Sequence, residues 1–225
     1  MTALGGSGAA RARLIIVGAG GFGREMLWTV GDLPAAGRDW EVAGFLDADV
    51  DRAAESLREK GVALPVLGDP GDYQPRDEDR FVCAIGSTSA KLAVCEALRE
   101  RGARFETVVH PTAMVAPGAV LGEGVIFRHW AGTSVNTVVG DFVTLNSSAG
   151  LGHDVVAEAG CTLSAHCDVM GGAYLERGAF LGSSALITPG VRVGAFATVG
   201  AGSVVLRRVA AGATVFGSPA RALNF

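Results

Sequence analysis

The chain has 225 residues, 49% of them hydrophobic, and a formal net charge of −4. That length carries one large domain or two small ones, the apolar share suffices for a packed core, and the weak negative charge gives no global attraction to nucleic acid. Glycine is in excess, at 33 residues, while aromatic residues make up only 7%; this asks for many tight turns around a core of aliphatic and small side chains. No apolar run approaches membrane-spanning length. Residues 1–10 lack the basic start and apolar centre of a secretion signal and read as a flexible leader, so a cytoplasmic protein is expected. Cys83, Cys95, Cys161 and Cys167 form no C-x-x-C pair and have no histidine at zinc-ligand spacing. Buried thiols are expected, and no metal.

Leu14–Val17 is a short apolar strand, followed by Gly18-Ala19-Gly20-Gly21-Phe22-Gly23 and a helical stretch from Arg24. A second strand, Val42–Leu46, ends at Asp47; a third, Phe81–Ile85, ends at Gly86; a helix covers Ala90 to Arg101. This order predicts an α/β half of a doubly wound sheet, βαβαβ, over residues 11–107. Gly18, Gly20 and Gly23 fit G-x-G-x-x-G, and Asp47 lies 24 residues past Gly23. Such glycines let a backbone approach a pyrophosphate at a helix start, and the acidic residue accepts hydrogen bonds from a ribose or base. Alone the motif would suggest NAD. The domain is half the usual dinucleotide size, so a mononucleotide diphosphate fits better; a ligand-free strand–helix turn is the plain alternative.

From Val109 onward a six-residue period places apolar, inward-facing residues at nearly every sixth position. Of the eighteen positions from Val109 to Ala211, fifteen are large and apolar; Thr133, Ala157 and Ala211 are the exceptions. The position four residues later is always small or β-branched, as at Ala113, Val143, Cys161 and Ala185. A period of six fits neither helix nor hairpin. It fits a short strand and a tight turn, three of which close a triangular coil, each coil stacked on the last at ~4.8 Å. Residues 108–215 therefore predict a parallel β-helix of about six coils in which residues eighteen apart stack, with no long excursion, and residues 216–225 form a tail.

A half-Rossmann domain joined to such a helix resembles the bacterial nucleotide-sugar acetyltransferases of the PglD and NeuD type. The matching residues are Val17 to Gly23, Phe45-Leu46-Asp47, Ala84-Ile85-Gly86, Leu145-Asn146 with His153 seven residues on, and the ending Phe216-Gly217-Ser218-Pro219-Ala220-Arg221. The resemblance covers residues 13 to 221 and implies a left-handed β-helix, a homotrimer with active sites between subunits, acetyl-CoA as co-substrate, and a nucleotide-sugar or sugar acceptor, without nucleic acid or membrane as partner.

Acetyl transfer needs a base for the attacking group and donors for the thioester oxyanion. His153 follows the inward Leu151 by two residues, so it faces outward at a coil corner. Gly171 lies one coil further on, where it leaves room for a ligand and offers its amide. By resemblance His153 is the base, Asp154 tunes it, and Asn146 lies near the acceptor. The acetyl-CoA positions are Thr162, Gly171, Ser183 and Ala201, although some relatives carry a second histidine where Thr162 stands. Arg207, Arg208 and Arg221 are either partners of CoA phosphates or solvated surface charges. The nucleotide-sugar side is Gly20, Gly21, Phe22, Asp47 and Gly86, with Ser87-Thr88-Ser89 adjacent. Relatives often carry a second Asp after the first; here Ala48 replaces it and Asp49 follows. His166 could line the cleft. His129, with Arg128 and Trp130, either shapes the acceptor pocket or packs against another subunit. His110, before Pro111, is structural. The expected reaction is N-acetylation of a nucleotide-linked 4-amino-4,6-dideoxy sugar. O-acetylation of a sialic acid or another sugar hydroxyl is the alternative, and a non-catalytic trimeric scaffold the lesser one.

Overall fold

A computed structural model describes residues 11–35 and 38–223; the leader expected at residues 1–10 lies outside them. The first unit is a three-stranded parallel sheet, ordered β2-β1-β3, with β1 at Ala12–Val17, β2 at Trp40–Leu46 and β3 at Asp79–Cys83. Single bridges extend both edges, Val66 beside Phe45 and Phe105 beside Phe81. Alternation along β1 sends Leu14 and Ile16 into one core and Ile15 and Val17 into another, so both faces are covered. The first face packs Met26 and Val30 of helix α1 (Gly21–Gly31) and Leu57 of α2 (Val50–Glu59). The second packs Leu92, Cys95 and Leu98 of α3 (Thr88–Glu100).

Helix boundaries move relative to the sequence reading. α1 starts at Gly21 rather than Arg24, and α3 at Thr88, where the Ser87 hydroxyl accepts the Ala90 N–H at 3.4 Å as an N-cap. Helix α2, unplaced by the sequence reading, is capped by Asp49, whose carboxylate accepts the Arg52 N–H at 3.3 Å.

The second unit is a parallel β-helix of two-residue strands. Its first face runs Val108–Val109, Ile126–Phe127, Thr144–Leu145, Thr162–Leu163, Phe180–Leu181 and Thr198–Val199. The second runs from Met114–Val115 to Val204–Val205, through Gly150–Leu151 and Asp168–Val169; the third runs from Val120–Leu121 to Arg192–Val193. Partners stand eighteen residues apart, as for Leu145 with Leu163 and Leu151 with Val169. The second residue of each strand fills a continuous interior of Phe127, Leu145, Leu163, Leu175, Leu181, Ile187 and Val199. Buried Cys161 and Cys167 lie at inner corners, and burial raises their thiols to about 12 and about 11.

The eighteen-residue register breaks in the last coil, a correction to the reading of unbroken repeats. Val193 bridges Val209 and Val199 pairs with Val215, each sixteen residues on. The corner after Val205 is two residues shorter, so Val209 is buried and Ala211, assigned inward from the sequence, is exposed.

The two units share one dry seam. Outward residues of the first face, Val108 and Ile126, join the core beneath the sheet, and Phe142 joins the core beside α3. Lys91, on α3 and only 1% exposed, sends its ammonium into this seam. It donates to Thr162 Oγ1 at 2.7 Å, Thr144 Oγ1 at 3.2 Å and the Cys161 carbonyl at 3.3 Å.

Candidate active site

His153 and Asp154 occupy the corner between the second and third faces. Gly152 makes the approach possible, since a Cβ there would lie 2.7 Å from the Gly171 nitrogen one coil on. The His153 side chain is 66% exposed, and its Nδ1 lies 2.8 Å from Asp154 Oδ2. Asp154 is held below the ordinary carboxylate value, first by this hydrogen bond and then by one from Asn136. An ionised carboxylate only accepts, so Nδ1 of His153 carries the proton and donates. Nε2 is then the lone-pair nitrogen, and among the described residues it meets no partner. This is the arrangement of a general base oriented by an acid.

Gly171 stands beneath the imidazole. A Cβ at Gly171 would collide with the Nε2 side of the ring, so the space this glycine leaves is taken by His153 itself. Its amide has no acceptor among the described residues, whereas equivalent amides at another edge donate to carboxylates, Arg177 to Glu158 at 2.8 Å and Ala195 to Glu176 at 2.9 Å. A free N–H therefore lies beside the imidazole.

The remaining sequence-derived residues separate. Asn146 sits at the other edge of the second face, donating to the Leu163 carbonyl at 3.2 Å and accepting from Arg128 at 3.4 Å. Ser183 and Ala201, both exposed, stack along that same edge, and the fold does not bring them to His153 of the same chain. Thr162 is corrected: it is 5% exposed, covered by α3, with its hydroxyl engaged by Lys91. Among the described residues, its side chain is shielded from solvent. Arg207, Arg208 and Arg221 are exposed and border one groove of about 400 Å³ at the end of the helix.

In the first unit, Gly18 takes φ +102°, and a Cβ there would lie 2.8 Å from the Ala84 carbonyl oxygen, so close strand approach demands glycine. Asp47 Oδ2 accepts the Ala19 N–H at 2.9 Å and Oδ1 the Asp49 N–H at 3.1 Å. Gly20 and Asp47 border a cleft of about 270 Å³ with Asp49, Arg52 and Ser56. Arg52 and Ser56 escaped the sequence reading because α2 did; the signal was Asp49 as a cap before Ala53 and Leu57. Gly21 opens α1 and is exposed, Gly86 is exposed after β3, and Phe22 turns away, its ring 5.9 Å from the Arg128 guanidinium.

His129 is buried. It is 5% exposed and stacks within its own chain on His110, at 3.8 Å between centroids, and on Trp28, at 4.3 Å. Asp32 Oδ2 lies 3.2 Å from His129 Nε2 and 3.4 Å from His110 Nε2. These groups come within 4.8 Å of one another, and both Nε2 atoms converge on the same Asp32 oxygen. The cluster is a hydrogen-bonded clamp between α1 and the first coils. Burial lowers the His110 pKa, in keeping with a structural role. His166 and Trp130 are exposed at corners with φ of 60° and 57°.

A β-helix carrying a His–carboxylate pair at an open corner, beside a glycine-loop α/β unit, defines an acyltransferase of the hexapeptide-repeat class. Residues 13–98 match the PglD N-terminal domain. GDP-perosamine N-acetyltransferase of Escherichia coli O157:H7 is 32% identical over 149 residues, 64% of this chain and 67% of that protein. Among solved structures, PerB from Caulobacter crescentus in complex with CoA and GDP-perosamine superposes with a TM-score of 0.80 at 29% identity, over 94% of this chain and 97% of that one. The acetyltransferase domain of PglB from Neisseria gonorrhoeae FA1090, in complex with acetyl coenzyme A, gives 0.81 at 25% identity, over 95% and 100%. The chain belongs to the PglD-type nucleotide-sugar acetyltransferases, and its helix is the left-handed β-helix of that family. It is an acetyltransferase that uses acetyl-CoA, and among the described residues no helix is long and apolar enough to cross a membrane.

Proposed function

We propose that this chain acetylates the amine of a nucleotide-linked 4-amino-4,6-dideoxy sugar of the GDP-perosamine kind, with His153 as general base. The observation that carries the assignment is the His153–Asp154 pair with Nε2 unpartnered beside the free Gly171 amide. The sugar amine attacks the thioester carbonyl carbon while Nε2 takes a proton from the nitrogen. The oxyanion is stabilised by the Gly171 N–H. Collapse forms the amide, breaks the C–S bond and releases CoA thiolate, which regains a proton from the imidazolium. Asp154 steadies the imidazolium in between.

The chain works as a homotrimer with active sites between subunits. His153 and Gly171 lie at one edge of the second face, and Asn146, Ser183 and Ala201 at the other. Two neighbouring subunits meeting edge to edge unite them in one cleft, where Asn146 approaches the acceptor and Ser183 and Ala201 line the CoA arm. Exposed Met114, Val120, Trp130 and Val138 give the first coils an apolar surface that a trimer covers. Arg207, Arg208 and Arg221 suit CoA phosphates, since guanidinium pairs well with phosphate. The nucleotide docks at Gly20, Gly21 and Asp47, near Gly86, with Phe22 supporting the loop from behind. The domain limits are 11–107 for nucleotide binding and 108–215 for acetyl transfer. The enzyme operates in the cytoplasm, which its buried, unpaired thiols suit.

A thiol-release assay with acetyl-CoA against GDP-perosamine, other 4-amino-sugar nucleotides and free sialic acid tests this reading. Turnover is expected with an amino-sugar nucleotide and lost in His153→Ala. Turnover only with a hydroxyl acceptor would move the enzyme to O-acetylation. Unchanged kcat in His153→Ala would remove the base assignment, and a monomer in light scattering the trimer.

A further inference from the structure

The corner that carries Asp154 repeats on successive coils at Gly118, Asn136, Asp154, Gly172 and Gly190, all left-handed, with φ of 81°, 57°, 58°, 69° and 68°. Glycine is the residue such a conformation favours, and Asn and Asp are the side-chain-bearing residues that tolerate it best. Only Asn136 and Asp154 in this stack carry a side chain, and they meet. Asn136 Nδ2 donates to Asp154 Oδ1 at 3.2 Å, while Oδ2 of the same carboxylate receives Nδ1 of His153 at 2.8 Å. The other end of the amide lies over Gly118, where a Cβ would come 3.3 Å from Asn136 Oδ1. Both carboxylate oxygens are thus engaged, on an exposed corner where a lone Asp side chain would rotate freely among its rotamers.

We infer that Asn136 is a positioning residue for acetyl transfer. Its amide fixes the Asp154 carboxylate in the rotamer that holds the proton on Nδ1 of His153 and leaves Nε2 as the base. This rests on the assignment of His153 as base. Asn136 hydrogen-bonds to the Asp154 carboxylate and not to the imidazole, so it acts one coil away, through Asp154. It also keeps the carboxylate ionised, because an amide N–H donated to an anion favours the charged form.

The test is built on variants that tolerate the backbone. Asn136→Gly removes the amide at a φ that glycine adopts without strain, and Asn136→Asp keeps the shape but turns the donor into an acceptor facing Asp154. With acetyl-CoA and GDP-perosamine as probes, kcat is expected to fall about tenfold in Asn136→Gly and further in Asn136→Asp, a fraction of the roughly 10²–10⁴-fold that a general base supplies. KM for both substrates and the melting temperature stay near wild type. Independently of any substrate, ¹⁵N NMR of histidine-labelled protein reports the ring tautomer. The His153 signal, identified by its loss in His153→Ala, is expected as Nδ1–H in wild type, with that population reduced in both variants. Wild-type kcat and an unmoved tautomer in Asn136→Gly would overturn the inference, as would Asn136→Asp behaving like wild type. If GDP-perosamine is not turned over, the tautomer measurement decides alone. An active His153→Ala would instead remove the base assignment, which separates the two failures.

Discussion

The β-helix presents two kinds of polar site, and their contrast lies in water. On its first face, Lys91 is buried with all its hydrogen bonds spent on Thr144, Thr162 and Cys161. At the corner between the second and third faces, His153 and Asp154 are mostly exposed, and Nε2 of His153 is left without a partner. The same repeat supplies both. What differs is that the N-terminal unit covers the first face and leaves the corner open. A buried, saturated group holds the architecture; an open, unsaturated one is free for chemistry. Mutation separates the two: changes at the corner remove activity with little effect on stability, and changes in the seam do the reverse.

The largest effect expected is at His153, the proposed base. His153→Ala should reduce kcat by about 10²–10⁴-fold, while its melting temperature stays close to wild type because the side chain is largely solvated; a large loss of stability would refute the contrast. Gly171→Ala comes next. The added methyl group collides with the imidazole from the adjacent coil, so the ring must leave its place beside the free amide. A loss of kcat of about 10²-fold is expected, in line with a small misplacement of a reacting group, with acetyl-CoA affinity measured by calorimetry retained. If Gly171→Ala kept full kcat, the ring would have a different working position.

Much of this contrast was legible in the sequence, for physical reasons that differ by region. The hexad period exposes itself because every coil repeats the same steric demand, so Leu145, Leu163 and Leu181 announced the interior, and eighteen-residue stacking placed Gly171 against His153. The last coil escaped because the corner after Val205 shortens without an obvious turn signature; Ala211 kept the period in sequence while Val209 took the buried place. Thr162 escaped for another reason. A repeat specifies which residues face outward but not what covers them, and its cover, Lys91, comes from a helix seventy-one positions earlier. His129 escaped likewise, since its partners Trp28 and Asp32 belong to α1. Local periodicity encodes a fold's interior; contacts between units are encoded at no fixed spacing.

The seam makes the subtlest prediction, a pH dependence of stability. Burial lowers the Lys91 pKa from 10.5 to about 8, opposed by the facing cysteines Cys83, Cys161 and Cys95. The unfolded chain keeps this proton up to its ordinary value, while the folded chain releases it from about pH 8. Between those values the unfolded state binds more protons, so this lysine's contribution to stability rises with pH, by at most about 3 kcal/mol across the window. Lys91→Met removes the titration and leaves two hydroxyls and a carbonyl without their donor, a cost of about 1–3 kcal/mol. Urea denaturation of both proteins at fixed protein concentration, at pH 7 and pH 9.5, checks the sign. The wild type should exceed Lys91→Met by more at pH 9.5 than at pH 7, while acetyl-transfer kcat at pH 7 stays near wild type in folded Lys91→Met. A gap that does not widen as pH rises would mean that the ammonium is stabilised in the seam as a cation, and that the first face is held by charge rather than by a saturated amine.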